Sequence, residues 1–156
     1  MDIRRRLSKR QESKVAKELS GKVTPASGAL WGAKADVRND TFLVECKTTE
    51  KDFYSLTFNT WDKIYREAIK DSLRIPVMCI DLQNGKQRYA VMCSKDLPDS
   101  LHSSLYLLSD YDYLPKTSFR IKIEGHIFIT DKKNKVYELS VIEWSKFLDK
   151  VVSEYE

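Results

Sequence analysis

Apolar and polar positions along this chain follow two periods, and the switches between them mark out its elements. Val15, Ala16 and Leu19 share one helical face, so the spacing predicts a helix over about Ser8–Ser20, stopped by Gly21. A turn-rich stretch, Thr24-Pro25-Ala26-Ser27-Gly28, follows. Strands are then predicted over about Lys34–Arg38 and Thr41–Thr48. Asn59 or Thr60 is placed to cap a second helix reaching about Asp71, with Trp61, Ile64, Ala68 and Ile69 as its buried stripe. Ile75–Leu82 and Gln87–Cys93 read as a hairpin turning at Asn84-Gly85, the strongest short turn signal in the chain. Lys95–Asp112 predicts only a short helix and a loop. Phe119–Ile123 and Ile127–Thr130 read as strands, the second pairing with Val136–Leu139 across Asp131–Lys135. Ser140 and Glu143 have capping-box spacing, and Trp144, Phe147, Leu148, Val151, Val152 and Tyr155 behind them predict a last helix. The order is helix, strands, helix, strands, helix, which leads us to expect an α/β sandwich forming one domain over residues 1–156.

Composition narrows the class. The chain has 156 residues, 42% hydrophobic and 32% charged, with only 5 Gly and 4 Pro, which excludes a disordered, collagen-like or disulfide-stapled protein. No run approaches the ~18 apolar residues of a membrane span, and no apolar stretch follows the basic N-terminus as a secretory signal requires. Cys46, Cys79 and Cys93 cannot all pair internally and lack metal-ligand spacing, so they are expected to be reduced core residues of a cytoplasmic protein. Net charge is +4, but Met1–Lys22 holds eight basic and three acidic residues, an excess of +5 that leaves −1 for the rest. Arg4, Arg5, Arg6, Lys9 and Arg10 thus form a basic arm over residues 1–10, suited to a polyanion such as DNA or, as the plainer alternative, a solvated terminus.

Candidate chemistry concentrates between Ala35 and Thr49. If Asn39-Asp40 is a two-residue turn, Arg38 faces Thr41 and Asp36 faces Leu43, and strand period then sets Glu45 and Lys47 on the side of Asp36. Ala33, Ala35, Val37, Phe42, Val44 and Cys46 make the opposite side apolar, so one face is core and the other gathers two carboxylates and a lysine. Asp36 and Glu45 become diagonal neighbours, roughly 7–8 Å apart at their α-carbons. Carboxylates that close repel unless a cation joins them, and such oxygen sites suit Mg²⁺. A metal there polarises a phosphoryl oxygen, and Lys47 can orient water or neutralise developing charge. The competing reading is a solvated Glu–Lys ladder. Glu12 lies on the stripe of Val15, Ala16 and Leu19, where a carboxylate needs a partner: a metal, or Arg6 or Lys9 at the solvent boundary. Ser27-Gly28 offers a hydroxyl and a mobile backbone to a phosphate, or is simply a turn.

Glu12, Ser27-Gly28, Ala35-Asp36 and Glu45-Cys46-Lys47 together resemble the PD-(D/E)XK nuclease superfamily, and their order is most similar to archaeal-type and phage-encoded Holliday junction resolvases. The likeness extends through Thr48-Thr49, Ser55 and Trp61-x-Lys63-Ile64-x-x-Glu67-Ala68, and covers the first half of the chain. Ala35 stands where the motif name has proline. The resemblance implies a restriction-endonuclease-like mixed sheet flanked by helices. It implies that Asp36, Glu45 and the Cys46 backbone carbonyl bind Mg²⁺ or Mn²⁺, that Lys47 is the catalytic lysine, and that Glu12 acts in the metal shell. Ser27 would contact the scissile region, and Lys63 and Glu67 would be auxiliary residues, unless they are an ordinary i,i+4 salt bridge. The function expected is a metal-dependent DNA endonuclease resolving four-way junctions as a homodimer. A restriction- or repair-type duplex nuclease is the first alternative, and a non-catalytic DNA-binding module with a nuclease-like fold is the second.

Overall fold

The computed structural model describes residues 3–23, 36–70, 73–108 and 114–155. Ser27, Gly28 and Ala35 therefore lie outside the described residues. Helix α1 (Ile3–Glu18) leads into strands β1 (Lys22–Val23), β2 (Val37–Arg38), β3 (Phe42–Thr48) and β4 (Tyr54–Thr57), then helix α2 (Phe58–Lys70). Strands β5 (Ile75–Leu82) and β6 (Gln87–Cys93), helix α3 (Asp99–Leu108) and strands β7 (Ser118–Ile121), β8 (Gly125–Thr130) and β9 (Val136–Glu143) follow. Short α-turns, Trp144–Lys146 and Ser153–Tyr155, flank a π-helical stretch, Phe147–Val152, at the C-terminal end.

Seven strands form a mixed sheet in the order β1-β2-β3-β5-β6-β9-β8, in which β3 and β5 run parallel and the other pairs antiparallel. The fold is α/β, a mixed sheet flanked by helices. Strand alternation sends Phe42, Val44, Val77 and Cys79 to a core completed by α1, α3 and the C-terminal helical segment. The register neighbours Met78 and Ile80 point the other way, into a second core with Trp61 and Ile64 of α2. Leu43 is buried on this second face against Ala68. The face expected to stand open behind Glu45 and Lys47 is thus a covered one, and only its end near the site is accessible.

Local chemistry explains several element ends. Helix α1 closes with Gly21 N–H donating to the Ala16 carbonyl (2.8 Å) and Ser20 N–H to Lys17 (3.2 Å), with Ser20 left-handed at φ 50°. A Cβ on Gly21 would sit 2.6 Å from the Arg38 carbonyl oxygen, so glycine is what lets the end of α1 approach β2. The helix begins at Ile3, five residues before the sequence predicts, so Arg4, Arg5 and Arg6 form its first turns and are not a free arm. Thr57, not Asn59 or Thr60, caps α2 by accepting the Thr60 N–H (3.3 Å), and Ile69 is 47% exposed rather than in the stripe. Ser140 and Glu143 belong to β9, paired with Met92 and Tyr89, so the predicted capping box is strand and the helical segment starts at Trp144.

Candidate functional site

The turn joining β2 to β3 sets the site. Asn39 Oδ1 accepts the N–H groups of Thr41 (2.8 Å) and Phe42 (2.7 Å), while Asn39 N–H bonds the Phe42 carbonyl (3.1 Å). Asp40-Thr41 is therefore the turn, and Arg38 faces Leu43 instead of Thr41. The expected register is two positions out. A shift of two preserves faces, so Glu45 and Lys47 keep their shared side, but the ladder ends at Val37 and does not extend the alternation to Asp36. Asp36 N–H bonds the Val44 carbonyl (3.1 Å) although Val37 is the ladder partner of Val44, so two residues oppose one in bulge fashion. The Asp36 carboxylate, 6% exposed, is thereby aimed at β3, where Oδ2 accepts the Cys46 N–H at 2.8 Å.

Asp36 acts on two other carboxyls, Glu12 and Glu45. Glu12, from the middle of α1, shares a side-chain hydrogen bond with Asp36. Burial first, then the Asp36 charge and that bond, push the Glu12 carboxyl up to about 7, against the pull of Lys9. Burial, followed by the Asp36 charge, pushes Glu45 up to about 7 as well, opposed by Lys47, whose Nζ is 3.6 Å from Glu45 Oε1. Lys63 and Glu67 of α2 also act on Glu45, the lysine lowering it and the glutamate raising it. Helix α1 (Glu12), β3 (Glu45, Lys47), α2 (Lys63, Glu67) and Asp36 just ahead of β2 are thus linked electrostatically through Asp36 and Glu45. Arg4, Arg5, Arg6, Lys9 and Arg10 are exposed along α1.

Two residues escaped the sequence reading. Gln11 is 2% exposed, and its Nε2 donates to the carbonyls of Lys47 (3.0 Å) and Cys79 (3.1 Å). This amide ties α1 to β3 and β5 at the level of the lysine. Its position four residues before Val15 on the buried stripe was the available signal. Tyr54 is the second: burial and then the Glu45 charge push its hydroxyl up, so the start of β4 lies beside the site. Behind it, the Cys46 thiol is hydrogen-bonded to that of Cys79, and this bond with burial pushes Cys46 well up.

Among the described residues, no group of three or more His, Cys, Asp or Glu side chains is placed to hold a metal ion. The donor types present can be compared with what Mg²⁺ takes. Mg²⁺ takes one or two carboxylates and fills its other positions with water and phosphate, and Asp36 and Glu45 are two hard oxygen donors whose mutual repulsion a cation relieves. No family model and no curated protein matches this chain.

The raised carboxyls make a pH prediction for metal-free protein. An acid whose folded pKa lies above its unfolded value stabilises fully below the unfolded value, near 4.5, and loses that contribution as pH rises through about 7. In EDTA the chain should melt at a lower temperature at pH 8 than at pH 6, and Glu45→Gln should narrow the gap. Thermal melts at the two pH values check this. An equal gap in the variant would mean Glu45 is ionised throughout.

Proposed function

We propose that this chain is a divalent-metal-dependent DNA endonuclease of the PD-(D/E)XK kind, acting on branched DNA as a homodimer. The observation that carries the reading is Asp36 coupled to both Glu12 and Glu45, with Lys47 Nζ 3.6 Å from Glu45 Oε1. Burial and mutual repulsion raise two of the three carboxyls, which is a cost that a structural site would avoid and a cation would remove.

Asp36 and Glu45, with the Cys46 carbonyl between Glu45 and Lys47 on β3, would hold the ion. When bound, Mg²⁺ supplies charge that polarises a phosphoryl oxygen and acidifies water. Lys47, aligned by Glu45 at its head and by Gln11 at its backbone carbonyl, presents an ammonium group to the charge that grows on the phosphate. Glu12 holds Asp36 through their hydrogen bond and is a carboxyl poised to exchange a proton near neutrality. No described helix is long and apolar enough to cross a membrane.

Helix α1 links binding to the site. Arg4–Arg6 sit six to eight residues before Glu12, about 9–12 Å along the axis. Replacing all three by Ala should weaken binding evenly across sequences and flatten log K against log salt by up to about 0.9 per lost contact on duplex DNA. Anisotropy titrations over a salt series measure this, and an unchanged slope would mean these arginines touch no phosphate.

A single site makes one nick, and resolving a four-way junction takes two related by symmetry, which a two-fold pair of chains supplies. The test is cleavage of a labelled four-way junction and of linear duplex in Mg²⁺, with light scattering for mass. Paired symmetric nicks by a dimer are expected. A monomer that cuts both substrates alike would remove the junction reading and leave the nuclease.

A further inference from the structure

The second half of the chain contributes no residue to the proposed site, yet β7 reaches its edge. It pairs with β4 as a separate two-stranded ribbon, with Ser55 opposite Arg120 and Thr57 opposite Ser118. Leu56, Phe119 and Ile121 turn into the second core, so Ser55, Thr57, Ser118 and Arg120 stand exposed on the outer face, and Lys122 continues the alternation. Residues 114–123 hold three cations, Lys116, Arg120 and Lys122, and no acidic residue. At the Arg120–Lys122 end, Tyr54 pairs with Ile121, and the Glu45 charge acts on its hydroxyl.

Phe53 organises the charge. The Arg120 guanidinium lies 4.6 Å from its ring centroid and the Lys51 ammonium 5.5 Å. Cations held over an aromatic face lose freedom before a ligand arrives, which reduces the entropy cost of contact. Cations interleaved with short hydroxyls are what sugar–phosphate backbones are gripped by.

We propose that the outer face of the β4–β7 ribbon is a second DNA-contact surface, on which Arg120, Lys122 and Lys51 carry the phosphate backbone away from the Glu12–Asp36–Glu45 site and Phe53 positions Arg120 and Lys51. It rests on the nuclease reading for its ligand. It gives the DNA a path from α1, across the carboxylates, to the ribbon beside Tyr54.

The experiment is anisotropy titration of the full chain with labelled duplex in Mg²⁺-free buffer over a salt series. Arg120→Ala/Lys122→Ala should lower affinity and flatten the salt slope by up to about 1.8, twice the loss of one contact. Lys132→Ala/Lys133→Ala removes the same charge from the exposed β8–β9 turn and should leave the slope unchanged. Phe53→Ala should weaken binding with no change in net charge, and Phe53→Leu, which keeps apolar bulk without the ring, should weaken it similarly. Equal losses in the ribbon and turn variants, or none in the ribbon variant, would overturn the ribbon surface while wild-type binding and cleavage still stand. No binding by the wild-type chain would overturn both it and the nuclease reading. Binding with ribbon-dependent slope but no cleavage in Mg²⁺ would support the surface and overturn only the chemistry.

Discussion

Lys47→Met is expected to slow DNA cleavage by about 100- to 1,000-fold, the range for removing a positioned group that stabilises developing charge, with almost no change in affinity for DNA. The lysine is 38% exposed at its side chain, and its head lies 3.6 Å from Glu45 rather than among the cations of α1. Its carbonyl is fixed by Gln11, so the strand carrying it has little freedom to drift. Methionine retains much of the length and apolar stem while removing the charge, so the fold should survive. Single-turnover cleavage and metal-free binding, measured side by side, separate the two roles. A loss confined to binding would make Lys47 a phosphate contact and nothing more.

Asp36→Asn and Glu45→Gln are expected to abolish cleavage while DNA binds as tightly as before or more tightly. Each variant removes a negative charge facing a polyanion, and each removes a hard oxygen donor from the candidate metal position. Asparagine still offers an oxygen to the Cys46 N–H, so the bulge that aims residue 36 should persist. Glutamine at 45 relieves the repulsion from Asp36, and the metal-free variant should melt no lower than wild type at pH 8. Full activity in either purified variant would contradict their assignment.

Much of this arrangement was legible because it is written locally. The β5–β6 hairpin falls on its predicted bounds, since two apolar runs flank a turn in which Asn84 (φ 57°) and Gly85 (φ 100°) take left-handed backbone. The β8–β9 pairing was equally readable, with Asp131 accepting the N–H groups of Lys133, Asn134 and Lys135 in the turn. What failed was decided by tertiary contact. Asn39 spends its side chain on the turn and on the Leu19 carbonyl at the end of α1, which fixes a register that the dipeptide alone does not. Ser140 and Glu143 satisfy a helix-start pattern, but central pairing with β6 outweighs it. The β4–β7 ribbon joins segments some sixty residues apart, so Phe119–Ile123 reads as a strand but β4 and its pairing with β7 leave no local mark, and Gln11 reads as an ordinary polar helix residue until both strands beneath it are placed.

The most direct measurement is nicking of supercoiled plasmid by the purified wild-type chain, in Mg²⁺ and in EDTA. Conversion to nicked and linear DNA in Mg²⁺ that EDTA abolishes is the expected result. Intact plasmid in both buffers, with the same preparation binding DNA in a parallel titration, would contradict the claim that these carboxylates and Lys47 cut DNA.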